Sequence, residues 1–87
     1  MICDDSKIFV GQKPVEAYVH AAMVSLRRTR SVEIEGMGKQ CGKVYSVAKF
    51  LSDLGKARIL DIQSFEKDGT QGVRAYLERR DGGGNES

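Results

Sequence analysis

The chain has 87 residues, of which 40% are hydrophobic and 30% charged, with a formal net charge of +2. That length suits one compact domain, that composition excludes a disordered chain, and no apolar run approaches the ~20 residues of a membrane span. The two cysteines, Cys3 and Cys41, and the single histidine, His20, have no zinc-ligand spacing, so neither a metal nor any other cofactor is expected.

The charge is unevenly distributed. All 14 Lys and Arg, but only eight of the 12 acids, lie between Lys7 and Arg80, so this segment carries +6 and the two ends are acidic. A basic domain with acidic tips suits a polyanionic partner. The opening Met-Ile-Cys-Asp-Asp has no leader pattern, and the protein is expected to be intracellular.

Residues 1–6 read as a flexible arm. Lys7-Ile8-Phe9-Val10 is a short apolar run, expected as a buried strand, and Gly11-Gln12-Lys13-Pro14 is the loop after it. Pro14 suits the first position of a helix, where its missing N–H costs nothing. Val15 to Arg28 then reads as a helix, because Val15, Tyr18, Val19, Ala22, Met23 and Leu26 form one apolar stripe. His20 falls off that stripe, one turn after Glu16, and is expected to be solvated. Arg27-Arg28-Thr29-Arg30 is a basic cluster at the helix exit, readable as a nucleic-acid contact or as cations that complement the helix dipole on a solvated end.

Ser31 to Glu35 alternates apolar and polar residues, as a strand with one buried face does. Gly36 to Lys43 follows as a glycine- and lysine-bearing loop. A second helix is expected from about Gln40 to Leu54, with Val44, Val47, Ala48, Leu51 and Leu54 at helical spacing and Gly55 as its stop. Tyr45 and Phe50 flank that stripe; with Leu54 they are the candidate subunit contacts, since a domain this small often gains stability from a partner. Arg58 to Phe65 and Val73 to Arg80 read as a hairpin. The polar Glu66–Gly72 loop between them is longer than a two-residue turn, so its tip is expected to project. Residues 81–87, acidic and glycine-rich, read as a disordered tail. The order is β-α-β-α-β-β: a two-layer α+β domain spanning residues 7–80, with both helices on one face of the sheet.

Glycines, lysines and helix N-termini together suit phosphate. A mononucleotide P-loop needs four residues between its glycines and a hydroxyl after its lysine. Here Gly38 and Gly42 enclose three residues, Gly36 and Gly42 enclose five, and Val44 follows Lys43. The dinucleotide fingerprint fails as well, because the glycine needed at position 41 stands at Gly42. A long polyanion fits better. If the first two strands run the same way, the Gln12-Lys13-Pro14 and Gly36–Lys43 loops emerge at one edge, with Lys13, Lys39 and Lys43 on a shared surface and Lys67 and Arg74 extending it. Without tryptophan or a stacking platform, backbone contact with little sequence preference is expected.

The stretch Ile8-Phe9-Val10-Gly11-Gln12-Lys13-Pro14-Val15-Glu16-Ala17-Tyr18-Val19 resembles the opening strand, loop and helix of the Alba family of archaeal chromatin proteins. Gly36-Met37-Gly38-Lys39-Gln40-Cys41-Gly42-Lys43-Val44 is similar to that family's second loop. The resemblance covers residues 7–80. It implies a fold like the C-terminal domain of bacterial translation initiation factor three, and a homodimer, or a heterodimer with a paralogue. It also implies a chromosomal, cytoplasmic, non-enzymatic protein that holds double-stranded DNA, and RNA as well, between paired loops and hairpin arms. Lys13, Lys39 and Lys43 match positions that the family uses for nucleic acid, and Gln12, Gly38, Gly42, Lys67 and Arg74 complete the expected surface. Gln12 and Met37 stand where family members carry further basic residues. Two other readings of the chain are an RNA-binding accessory subunit of a ribonuclease P-like or translation particle, and a protein-interaction adaptor.

Overall fold

The computed structural model describes residues 7–80; the expected arm at 1–6 and tail at 81–87 lie outside the described residues. The chain forms β1 (Lys7–Phe9), α1 (Val15–Arg28), β2 (Ser31–Met37), a 3-10 turn (Gly38–Gln40), α2 (Cys41–Asp53), β3 (Ala57–Lys67) and β4 (Thr70–Arg79). The four strands make one mixed sheet in the order β1-β2-β4-β3, with β1 and β2 parallel and the other two pairings antiparallel. The element order and the two-layer α+β class match the sequence expectation.

Strand alternation sorts the sheet into two faces. Val32, Ile34 and Gly36 of β2 lie opposite Leu77, Ala75 and Val73 of β4, and all six are buried under the helices. From α1, Tyr18, Val19, Ala22 and Leu26 meet this surface; from α2, Val44, Val47, Ala48 and Leu51 do. These are the stripes that helical spacing predicts. Leu54, expected to continue the second stripe, instead caps α2 and is half exposed. Gly55 follows it at φ +73°, a left-handed stop, and the Lys56 N–H returns to the Leu51 carbonyl. Pro14 sits one residue before α1 with an extended ψ of 156°, as its cap rather than its first residue.

Three expectations about the strands are corrected. β1 is an edge strand whose Phe9 is exposed, not a buried one, because β2 pairs with it on one side only. β3 does not alternate regularly. A bulge at Leu60 puts Ile59 opposite Leu77 and Asp61 opposite Tyr76, which keeps Ile59 and Ile62 on the helix side and leaves Leu60 exposed. The hairpin does not carry a long loop. Its strands zip up to the Lys67–Thr70 pair and close on Asp68-Gly69, both at positive φ, the geometry of a two-residue type I′ turn. It extends only two residue pairs past the end of β2.

β2 also runs two residues further than predicted, through Gly36 and Met37. Gly36 is therefore a strand residue at a close approach. A Cβ there would lie 2.6 Å from Val44 Cγ2 and 3.0 Å from the Gln40 carbonyl oxygen, so its lack of a side chain is what lets α2 lie against β2. Gly42, in the first turn of α2, has nothing within 4 Å of an added Cβ. Gly36→Ala is expected to destabilise the domain by about 1–3 kcal/mol through overpacking against a stiff β-branched neighbour. Gly42→Ala is expected to be neutral or to stabilise by up to about 1 kcal/mol. Urea unfolding midpoints check both; equal effects at the two glycines would refute the packing account.

Candidate nucleic-acid interface

Parallel pairing of β1 with β2 sends both strand-to-helix connections out at one edge of the sheet. β4 enters the sheet at that same edge, so the hairpin tip arrives there too. The first connection is held from below by α1. The Tyr18 hydroxyl accepts hydrogen bonds from the Gly11 N–H at 2.7 Å and the Lys13 N–H at 3.1 Å. Its carbonyls are held from the side, since Lys43 Nζ donates to the Gly11 oxygen at 3.1 Å and to the Lys13 oxygen at 2.7 Å. With this backbone tied down, Gln12 and Lys13 stand exposed at the crest.

The second connection is the tight Gly38–Gln40 turn. Gly38 has φ +58°, which a residue with a Cβ adopts only at a cost, and a Cβ there would lie 3.7 Å from Thr70 Cγ2 of the hairpin. Cys41 is a free thiol that lies 3.6 Å from the Gln71 carbonyl oxygen, the second point where this turn meets β4. Lys39, within the turn, is exposed. Neither α1, nor α2, nor the turn has a side-chain cap on its first N–H groups, and the start of α2 has no acid in its first turn. Uncapped N–H groups at a helix start attract anions.

Among the expected site residues, Lys13, Lys39, Gln12, Gly38, Gly42 and Lys67 all gather at this edge, and no ion pair holds Lys13, Lys39 or Lys67. Lys67 is flanked in sequence by Glu66 and Asp68, so the hairpin tip carries more acid than base. Lys43 is near but differently employed: it is the tie between the two connections, with its ammonium turned to carbonyls instead of outward.

Arg74 is not at this edge. It lies on the open face of the sheet, with Nε 3.1 Å from Glu33 and 3.3 Å from Glu35, and its guanidinium 4.5 Å from the centre of the Phe65 ring. Lys7 joins the same two acids at 3.5 and 3.4 Å. A hydrogen bond with Tyr76, and then Glu35, raises the Arg74 pKa above its already high ordinary value. Partial desolvation lowers the Lys7 pKa, but attraction to Glu33 and Glu35 outweighs it and the net shift is upward. That contribution is complete at neutral pH and is lost only as pH rises through the raised lysine value. Strand register explains the failed placement of Arg74: it is opposite Glu35, which sequence spacing does not reveal.

Met37 has a packing role. Its Sδ lies 2.8 Å from where a Gly72 Cβ would be, and the Phe65 ring closes over the same glycine. The candidate subunit contacts do not form one patch. Tyr45, Phe50 and Leu54 are 49%, 46% and 50% exposed. At about 100° per residue, Tyr45 lies ~140° around α2 from Phe50 and on the opposite flank of the buried stripe. Phe50 and Leu54 share one flank and line a shallow hollow with Asp53. His20 is exposed, and among the described residues no three His, Cys, Asp or Glu side chains converge as metal ligands.

Helical spacing places Tyr18 in the core stripe; its hydroxyl role is visible only in three dimensions. Tyr18→Phe preserves the packing and leaves two N–H groups without their acceptor. It is expected to cost about 1–3 kcal/mol and to speed hydrogen exchange at Gly11 and Lys13 selectively. Unchanged exchange at those two amides would contradict the tie.

No family model and no curated protein matches the sequence. Solved structures do match the fold. The crystal structure of ALBA1 from Trypanosoma brucei superposes with a TM-score of 0.84 at 16% identity, covering 90% of this chain and 73% of that one. Alba from Thermoplasma volcanium superposes with a TM-score of 0.70 at 23% identity, covering 84% of this chain and 99% of that one. At these identities the likeness concerns architecture: the chain has the Alba fold, the one its two loop motifs resemble.

Proposed function

We propose that this domain is a non-enzymatic, largely sequence-independent nucleic-acid-binding protein that grips the phosphate backbone with its paired loops. The carrying observation is one edge with exposed Lys13 and Lys39, neither in an ion pair, beside two helix starts without side-chain caps. Double-stranded DNA is the proposed main ligand, with RNA bound through the same phosphate contacts, in a cytoplasmic, chromosome-associated setting. This extends to the chain what its resemblance to the Alba family implies. Lys43 acts as a positioning residue, holding the crest on which Lys13 stands. The short, tip-acidic hairpin contributes less than the loops.

The proposed working unit is a dimer, with a second copy or a paralogue, formed through the Phe50–Leu54 flank of α2. Two loop pairs side by side double the number of phosphate contacts. Phe50→Asp or Leu54→Asp is expected to weaken self-association at least tenfold, about 1.4 kcal/mol, in sedimentation velocity. Tyr45→Ser on the opposite flank is expected to leave it unchanged. Sedimentation of the native chain as a monomer at micromolar concentration would remove the dimer.

Binding to duplexes of unrelated sequence should weaken steeply with salt, because each neutralised phosphate releases counterions. Lys13→Ala and Lys39→Ala should each lower the log–log salt slope by about 1 per contact, equally for every sequence. Arg74→Ala should leave the slope unchanged. A flat salt response in the native protein would refute the reading, and loss confined to one sequence would make these lysines base readers. Competition of RNA against duplex DNA at fixed salt ranks the two ligands.

A further inference from the structure

A second cationic site lies at the opposite pole. The exit of α1, the start of β3 and the end of β4 meet around a concave cleft of about 200 Å³, lined by Met23, Leu26, Arg27, Lys56, Arg79 and Arg80. Four of its six lining residues are cationic and none is acidic. The described acids nearest in sequence are otherwise engaged: Asp53 pairs with Lys49 at 3.6 Å and Glu78 with Arg58 at 2.8 Å.

Helix capping does not account for this charge. Thr29 terminates α1 through its N–H and hydroxyl, both donating to the Ser25 carbonyl, and Arg79 Nη1 donates to the Leu26 carbonyl at 3.2 Å. Arg27, Lys56 and Arg80 have no such task. The helix C-terminus offers only about half a negative charge against the three positive ones of Arg27, Lys56 and Arg80. Four cations around a cleft with an apolar floor suit an anion that carries an apolar body. Arginine's planar fork matches phosphate oxygens, and the half-buried Met23 presents an apolar surface for the adjoining sugar or base.

We infer that this cleft is a second nucleic-acid phosphate site, separate from the loop edge. β4 runs from one pole to the other, and its ten residues at ~3.4 Å each set the two sites about 30 Å apart, so no single phosphate reaches both. The inference goes beyond the loop reading and does not depend on it, because none of the cleft residues belongs to the loops.

The test is titration of the isotope-labelled full chain with a duplex of about 6 base pairs, roughly 20 Å long and too short to span the poles. Amide shifts are expected at Arg27, Lys56 and Arg80 as well as at Lys13 and Lys39. In the K13A/K39A background the cleft shifts should persist with unchanged midpoint, and adding R27Q/K56Q/R80Q should abolish them. These three side chains are exposed, and an unchanged melting temperature of the variant excludes unfolding. The native-chain titration stands independently if the variant does unfold. Silent cleft amides in the native chain would overturn the site even if the loops bind. Cleft shifts produced by an acidic peptide but not by the duplex would overturn its assignment to nucleic acid. Loop failure with persistent cleft shifts would refute the proposed loop function and leave the cleft site standing.

Discussion

Lys43 crosses from the first turn of α2 to two carbonyls in the connection between β1 and α1. Parallel pairing of β1 with β2 brings the two connections to one edge, and this one ammonium fixes their spacing. Tyr18 completes the clamp by accepting the N–H groups on the other side of the same loop. Such a loop has little backbone freedom left to lose on meeting a ligand, which lowers the entropic cost of binding. Its crest then offers side chains, Gln12 and Lys13, while the Gly11 and Lys13 peptide groups are satisfied within the protein. The surface is preorganised by residues that need not touch the ligand.

The same economy appears in the glycines of the second connection, which do three different things. Gly36 admits α2 against the sheet, Gly38 supplies the left-handed turn that starts the 3-10 segment, and Gly42 occupies an open position in α2. A stretch that reads as one glycine-rich phosphate loop is therefore a strand end, a tight turn and a helix start in succession. Only the turn is loop. Its Lys39 is exposed.

Charge is divided among three regions with different chemistry. On the open sheet face, Lys7 and Arg74 alternate with Glu33 and Glu35 in a half-buried network that is neutral in sum. At the loop edge Lys13 and Lys39, and at the α1 exit Arg27, Lys56 and Arg80, make no ion pair among the described residues. The net positive charge of the domain is thus concentrated at two poles, where long side chains remain available to an outside anion.

Element type and order were legible in the sequence because they depend on local periodicity and punctuation: the stripes of α1 and α2, the alternation in β2, the start signal at Pro14 and the stop at Gly55. The meeting of the two lysine loops was legible too, given parallel strands. What tertiary structure alone decided were the relations across strands and between elements. Register placed Arg74 opposite Glu35 and so removed it from the site. The Leu60 bulge reset the faces of β3, and pairing through Lys67–Thr70 reduced an apparent long loop to two residues. Lys43 and Lys39 look alike in sequence, two cations four residues apart at one helix start. Lys43 lies within α2 and reaches across to Gly11 and Lys13, whereas Lys39 lies in the 3-10 turn before it and stays exposed, because the tertiary fold and not composition decides where the turn ends and which carbonyls face the helix.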